Sequence, residues 1–204
     1  MTNIAVLVSG RGSNLQALID RAESGYIPGK ITVVISNKKD AYGLERARKH
    51  GIPAEYVHME PGEAREEYDK KIITVLEKYK VDLVCLAGYM FIVSPQFVKR
   101  YKYCMMNVHP ALLPAFAGGT HAQKEAIDWG VKVAGCTVHF VTDEVDGGPI
   151  IVQKTVPVLE NDNIETISRR ILRQEHRAYS EAVRLFCEGR LKVEGRKVKV
   201  LPEK

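Results

Sequence analysis

The feature that most restricts the fold lies at the start of the chain, where an apolar run at 4–8 leads directly into Ser9-Gly10-Arg11-Gly12-Ser13-Asn14-Leu15-Gln16. A run that short and uniformly apolar reads as a strand buried on both faces, a situation found almost only in parallel sheets covered by helices. The glycines mark a tight turn, and the apolar spacing that follows from Ser13 is helical. A buried strand feeding a helix commits the chain to a crossover that lays down a parallel neighbour.

The rest of the sequence repeats that rhythm. Apolar runs at 31–36 and 54–57 flank a helical pattern at 41–50; a longer helix is expected over 64–79, then a strand at 81–87, a short helix near 95–99 and a strand at 104–108. Beyond a second Gly-containing loop come a helix at 123–129 and two β-type runs, 133–141 and 150–156, joined by a turn-rich segment. A long helix over 164–186 and an alternating stretch at 192–198, suggesting a terminal hairpin, complete the pattern. The expectation is an α/β fold, Rossmann-like, with a mostly parallel twisted sheet flanked by helices and antiparallel strands in the C-terminal half. With 204 residues and neither repeat nor linker, it reads as a single domain over 1–204.

Composition removes several classes. A chain that is 45% hydrophobic and 27% charged is neither disordered nor fibrous. The formal net charge of +5 is modest, and basic residues are interspersed with acidic ones except near Arg190, Lys192, Arg196, Lys197 and Lys199. That distribution exerts a weak pull on anionic ligands without a nucleic-acid footprint. The first residues lack a basic region before the apolar run, so they read as a strand and not a signal peptide, and no apolar stretch is long enough to span a membrane. Cys85, Cys104, Cys136 and Cys187 lie far apart among apolar neighbours, as buried free thiols in a reducing cytoplasm would.

Chemistry enters through three segments. The loop at 9–16 presents free backbone N–H groups at a helix start, which favours an anion, and Ser13 with Gln16 has the spacing of a capping box. Leu15 replaces the third glycine of a dinucleotide fingerprint, the next strand ends in Ser36-Asn37-Lys38 without an acid, and the Gly-Lys-Ser/Thr of a P-loop is missing. A monophosphate site remains, beside the plainer alternative of a helix-capping turn.

Asn107-Val108-His109-Pro110 ends an apolar strand, so the two-residue period turns the amide and the imidazole to one side, and Pro110 keeps His109 extended. Ligands of parallel sheets collect outside the carboxyl ends of strands, where this motif and the Gly-rich loop can face one crevice. An isolated Asn-x-His pair is more often structural than catalytic; its company makes it a candidate. In Asp146-Gly147-Gly148-Pro149, the glycines let the backbone approach a ligand, although Asp-Gly is also an ordinary turn. His121 can line a pocket, whereas His139, between Val138 and Phe140, reads as a satisfied strand residue; His50, His58 and His176 add no metal-ligand spacing.

Together the Gly-Arg-Gly-Ser-Asn-Leu-Gln loop, Leu86-Ala87-Gly88-Tyr89-Met90, the stretch from Asn107 through Pro114, and Val138-His139-Phe140-Val141 through Pro149 resemble the phosphoribosylglycinamide formyltransferase family nearly end to end. The resemblance implies a folate-dependent enzyme of purine synthesis, with 1–100 as its nucleotide-phosphate-binding half and 101–204 as its catalytic and folate-binding half. It implies Asn107, His109 and Asp146 as the catalytic set. Gly12, Ser13 and Asn14 would take the phosphate of glycinamide ribonucleotide, and Leu172, Arg173, Gln174 and Glu175 would bind the same substrate, Glu175 through its ribose hydroxyls. For 10-formyltetrahydrofolate it implies Arg65, the segment Met90, Phe91, Ile92 and Val93, Asn107, and the loop Thr142, Asp143, Glu144, Val145 and Asp146 closing over the pterin. It further implies small-molecule substrates, no metal, no nucleic-acid or membrane partner, a monomer or homodimer, and a cytoplasmic location. Phe91 stands where some members carry an arginine, and the loop around Gly118, Gly119 and His121 is one residue longer than usual.

The same trio is shared with 10-formyltetrahydrofolate hydrolases, which usually carry an additional N-terminal domain, and with methionyl-tRNA formyltransferases, which carry a C-terminal tRNA-binding domain; the length of 204 residues is expected to disfavour both. A non-catalytic nucleotide- or folate-binding module is the alternative from another class.

Overall fold

In the computed structural model, which describes residues 1–203, the opening apolar run becomes strand β1 (Thr2–Val8), buried from Ile4 onward. Helix α1 (Ser13–Glu23) turns Leu15, Leu18 and Ile19 inward, the i, i+3, i+4 stripe that covers a sheet face. The chain divides into two units, Met1–Asn107 and Val108–Lys204.

In the first unit, β2 (Gly29–Ser36), α2 (Tyr42–Lys49), β3 (Ala54–Tyr56), α3 (Arg65–Lys78), β4 (Leu83–Leu86), α4 (Pro95–Arg100) and β5 (Met105–His109) follow, with the last strand running across the division. The strands are all parallel, in the order β3-β2-β1-β4-β5. From β1 the chain steps outward through β2 to β3, then returns to β4 on the other side. The carboxyl ends of β1 and β4 therefore flank the point where strand order reverses, the position at which open α/β sheets bind ligands. Helix α3 buries Tyr68, Ile72 and Leu76 at four-residue spacing, and Ser94 caps α4 by accepting from the Phe97 N–H.

The second unit holds α5 (Ala122–Asp128), β6 (Val133–Phe140), β7 (Ile150–Pro157), α6 (Ile164–Cys187), β8 (Leu191–Glu194) and β9 (Lys197–Val200). β6 and β7 are antiparallel, with a register shift between Val138 and His139. β9 joins β7 in parallel through Ile150 and Lys197, and pairs antiparallel with β8 as the expected hairpin. Helix α6 opens with a reciprocal capping box between Asn163 and Thr166 and lays Ile171, Ala178, Ala182 and Val183 inward, packing on β6 and β7.

The fold is the expected α/β arrangement, parallel in the first half and with antiparallel strands in the second. Two local expectations change. Gly12, not Ser13, is the N-cap of α1, in the left-handed region at φ 67°, and no side chain caps the helix. Of the cysteines, Cys85 and Cys136 are buried and Cys104 and Cys187 half-buried, and none of the four is in a disulfide. Among the described residues, no helix is long and apolar enough to cross a membrane.

Candidate active site

In the first unit, the loop after β1 is clamped from two sides. The Ser9 N–H donates to Gly88 O, its hydroxyl donates to Asn37 Oδ1 at 2.7 Å, and that hydroxyl accepts the Met90 N–H at 2.8 Å. From α2, the Gly43 N–H donates to Gly10 O and Arg46 donates to Arg11 O at 2.8 Å. Gln16 accepts from Arg46 and donates to Asp20, so it is drawn away from the capping role its spacing suggested. Gly12 as the cap brings no side-chain acceptor to the first turn of α1, and the helix dipole adds positive character there. A helix start of this kind favours an anion; Ser13 is half-exposed and Asn14 buried in its first turn.

The segment after β4 joins the same end of the sheet through Ser9. Met90 and Ile92 are 60% and 68% exposed, an unusual share for apolar residues, whereas Phe91 between them turns inward. The Phe91 ring meets Tyr68 and Tyr89 edge-on at 5.6 and 5.8 Å, and the Arg65 guanidinium lies over its face at 4.0 Å, a cation–π stack. One turn along α3, burial raises the Asp69 carboxyl despite its acceptance of the Ser94 N–H at 2.6 Å. Arg65 and Phe91 thus form one object, with Met90 and Ile92 left as open apolar surface. Asn107, also half-buried, lies in β5.

The second unit assembles a buried charge system. His109, at the end of β5, has Nδ1 3.3 Å from Asp146 Oδ2, while its Nε2 donates to Phe116 O at 2.9 Å. On the other carboxylate oxygen, His139 Nε2 lies 3.5 Å from Asp146 Oδ1. The Gly118 N–H donates to Asp146 Oδ2 at 2.9 Å. The three side chains are only 3% to 11% exposed. Burial alone would raise the Asp146 carboxyl, but the His139 hydrogen bond, the Gly118 amide and the nearby imidazoles outweigh it and hold it below the ordinary 3.8. Asp146 is itself left-handed, at φ 53°, in a turn closed by the Gly147 N–H on Glu144 O. A Cβ on Gly148 would lie 1.7 Å from Phe140 O, which explains a glycine at that position.

A buried carboxylate, kept ionised and sharing its two oxygens between two imidazoles, is an arrangement for moving protons. Residues 2–183 match the formyl transferase family model. The chain belongs to the formyl transferase family. The phosphoribosylglycinamide formyltransferase of Escherichia coli (strain K12) is 46% identical over 191 residues, 94% of this chain and 90% of that protein. The crystal structure of glycinamide ribonucleotide transformylase 1 from Symbiobacterium toebii superposes with a TM-score of 0.95 at 53% identity, covering 99% of this chain and 95% of that one. A formyltetrahydrofolate deformylase from Pseudomonas syringae pv. tomato str. DC3000 superposes with a TM-score of 0.92 at 30% identity, covering 98% of this chain and 66% of that one.

Within this formyl transferase, the remaining expected residues are spread over different environments. Thr142 Oγ1 donates to Glu144 O inside the 142–148 loop, where Val145 is 47% exposed. On α6, Glu175 is buried, with Leu172 and Gln174 half-buried and Arg173 exposed. Glu175 lies near the Cys136 thiol, which burial first and that carboxylate second push up to about 12. His121 is exposed at the start of α5, its Nδ1 2.9 Å from the Thr120 hydroxyl. The residue that sequence reasoning assigned to the strand alone is His139. It is a strand residue hydrogen-bonded to Phe140 O, and it is also the second imidazole on Asp146. Its signal was the register shift, which no sequence pattern displays.

Proposed function

We propose that this enzyme transfers the formyl group of 10-formyltetrahydrofolate to the amine of N1-(5-phospho-D-ribosyl)glycinamide, giving formylglycinamide ribonucleotide and tetrahydrofolate in purine synthesis. The observation that carries the reading is the buried His109–Asp146 pair, in a chain whose α1 also starts at a glycine with no side-chain cap. Both requirements of the reaction, a held phosphate and a managed proton, thus have residues of the right chemistry.

When bound, the folate supplies the formyl carbon. The open apolar surface of Met90 and Ile92 suits a flat ring, and Arg65, flat on Phe91, suits an anionic tail. Asn107 donates its side-chain N–H to the formyl oxygen as negative charge builds there; loss of one such donor typically costs about 10²–10³ in rate. His109 adds a second donor and gives a proton to the departing nitrogen, exchanging its Phe116 carbonyl partner for substrate. Asp146, ionised between its imidazoles, stabilises charge on His109 and accepts, through water, the proton lost by the attacking amine. Gly12, Ser13 and Asn14 hold the phosphate, and Glu175 and its neighbours the ribose. Small-molecule substrates, a cytoplasmic setting, and a monomer or homodimer complete the reading.

The deformylase neighbour supports one rival, the same chemistry with water as nucleophile. Mixing the protein with 10-formyltetrahydrofolate and following deformylation with and without the ribonucleotide separates them. Dependence on the ribonucleotide is expected; deformylation without it would establish the rival.

A further inference from the structure

The last strands do more than extend a sheet edge. β8 and β9 are joined by a tight turn at Gly195, φ 61°, and Arg196, and β9 begins beside the first residue of β7. That placement sets the turn against the loop entering β7, and Arg196 uses it: its Nη2 donates to Gly147 O at 3.0 Å, and its Nη1 lies 3.6 Å from Glu144 Oε2. Three of the other basic residues of this stretch are committed locally. Lys192 and Lys199 pair with Glu194, and Arg190 with Glu188 and Glu203. Arg196 is the member of the group that reaches out to the loop carrying Asp146. It lies beyond residue 183, outside the stretch that the family model matches.

The loop needs holding. Asp146 is strained in the left-handed region, and its inner side is fixed by the Gly118 N–H on Oδ2 and by the two imidazoles. Gly147, whose carbonyl Arg196 takes, has no side chain and lies so close to the Glu144 side chain that a Cβ would fall 2.2 Å from it. Its carbonyl is the acceptor that Arg196 Nη2 reaches.

We propose that Arg196 is a positioning residue: the β8–β9 turn braces loop 142–148 through Gly147, keeps Asp146 presented to His109, and so sets the affinity for the formyl donor. The inference rests on the reading that residues 142–146 close over the donor and that Asp146 is catalytic.

The test uses full-length wild type, Arg196→Ala, Arg196→Lys and Asp146→Asn, with steady-state kinetics on both substrates, amide hydrogen exchange and thermal melts. Because the contact is exposed, the expected effect is modest: in Arg196→Ala, KM for 10-formyltetrahydrofolate rises about three- to tenfold. KM for the ribonucleotide and the melting temperature stay near wild type, exchange quickens at 142–148 but not in α6, and Arg196→Lys falls between. Unchanged donor KM overturns the proposal, with or without faster exchange; so does an equal loss on both substrates with a lowered melting temperature, which marks a plain structural brace. Wild-type turnover in Asp146→Asn removes the proposal through its premise, whereas an inactive Asp146→Asn beside a wild-type-like Arg196→Ala removes the brace alone.

Discussion

His139 Nε2 lies 3.5 Å from Asp146 Oδ1, the carboxylate oxygen that His109 leaves free. Each oxygen therefore has its own imidazole, and the carboxylate cannot rotate toward one without loosening the other. Hydrogen bonds to a charged group contribute roughly 1.5–3 kcal/mol. His139→Ala is expected to lower turnover about ten- to a hundredfold while leaving ribonucleotide binding intact, measured by kcat and by equilibrium titration. Wild-type turnover would show that His139 is merely a packed strand residue.

Removing the proposed acid should be more severe. His109→Ala is expected to lose about 10²–10⁴ in kcat, with the dissociation constant for the ribonucleotide changed little. Full activity in that variant would refute its assignment.

The depressed Asp146 carboxyl ties stability to pH. The folded protein keeps this group ionised where the unfolded chain takes up a proton, so its contribution is complete above the ordinary 3.8 and fades as pH falls toward the lower folded value. Melting curves of wild type and Asp146→Asn should differ most near neutrality, and the difference should shrink as the solution is acidified below 3.8. A difference independent of pH would contradict the linkage.

At the start of α1, Ser13→Asp brings a negative charge to the first-turn amides. Like charges about 6 Å apart at an effective dielectric near 20 repel by about 3 kcal/mol. Ribonucleotide binding should weaken at least about tenfold and donor binding hold; equal loss of both by titration would point to misfolding.

Phe91→Arg exchanges the ring under Arg65 for a second guanidinium. The expected outcome is a larger affinity gain for polyglutamylated than for monoglutamylated folate, with a lower melting temperature from lost contacts to Tyr68 and Tyr89. An unchanged ratio of the two KM values would show that Arg65 alone reads the tail.

Much of this was legible in the sequence because period carries it. The strand at 4–8 is apolar throughout and that at 31–36 mostly so, since both faces are covered, and the sequences of β8 and β9 alternate because one face is wet. The loop at 9–16 and the Asn107–His109 pair announce themselves by type and spacing. What stayed hidden depends on backbone angles and register. Ser13 has the side chain of a cap, yet Gly12 takes the position because the chain turns through φ 67° there. His139 looks like any buried strand residue until the shift beside it sets its partner across the ladder. Arg196 lies on an exposed turn, where no periodicity marks which cation reaches a distant carbonyl.

A Cβ on Gly12 would stand 2.9 Å from the Gly43 Cα, and one on Gly43 would press into Val8 at 2.8 Å. Neither position can gain a side chain while its surroundings stay put, and a change at one leaves the other as confined as before. Each is confined by its own neighbour, Gly12 by the Gly43 backbone and Gly43 by the Val8 side chain. A side chain at either position would force apart the nesting of β1, the turn and α2.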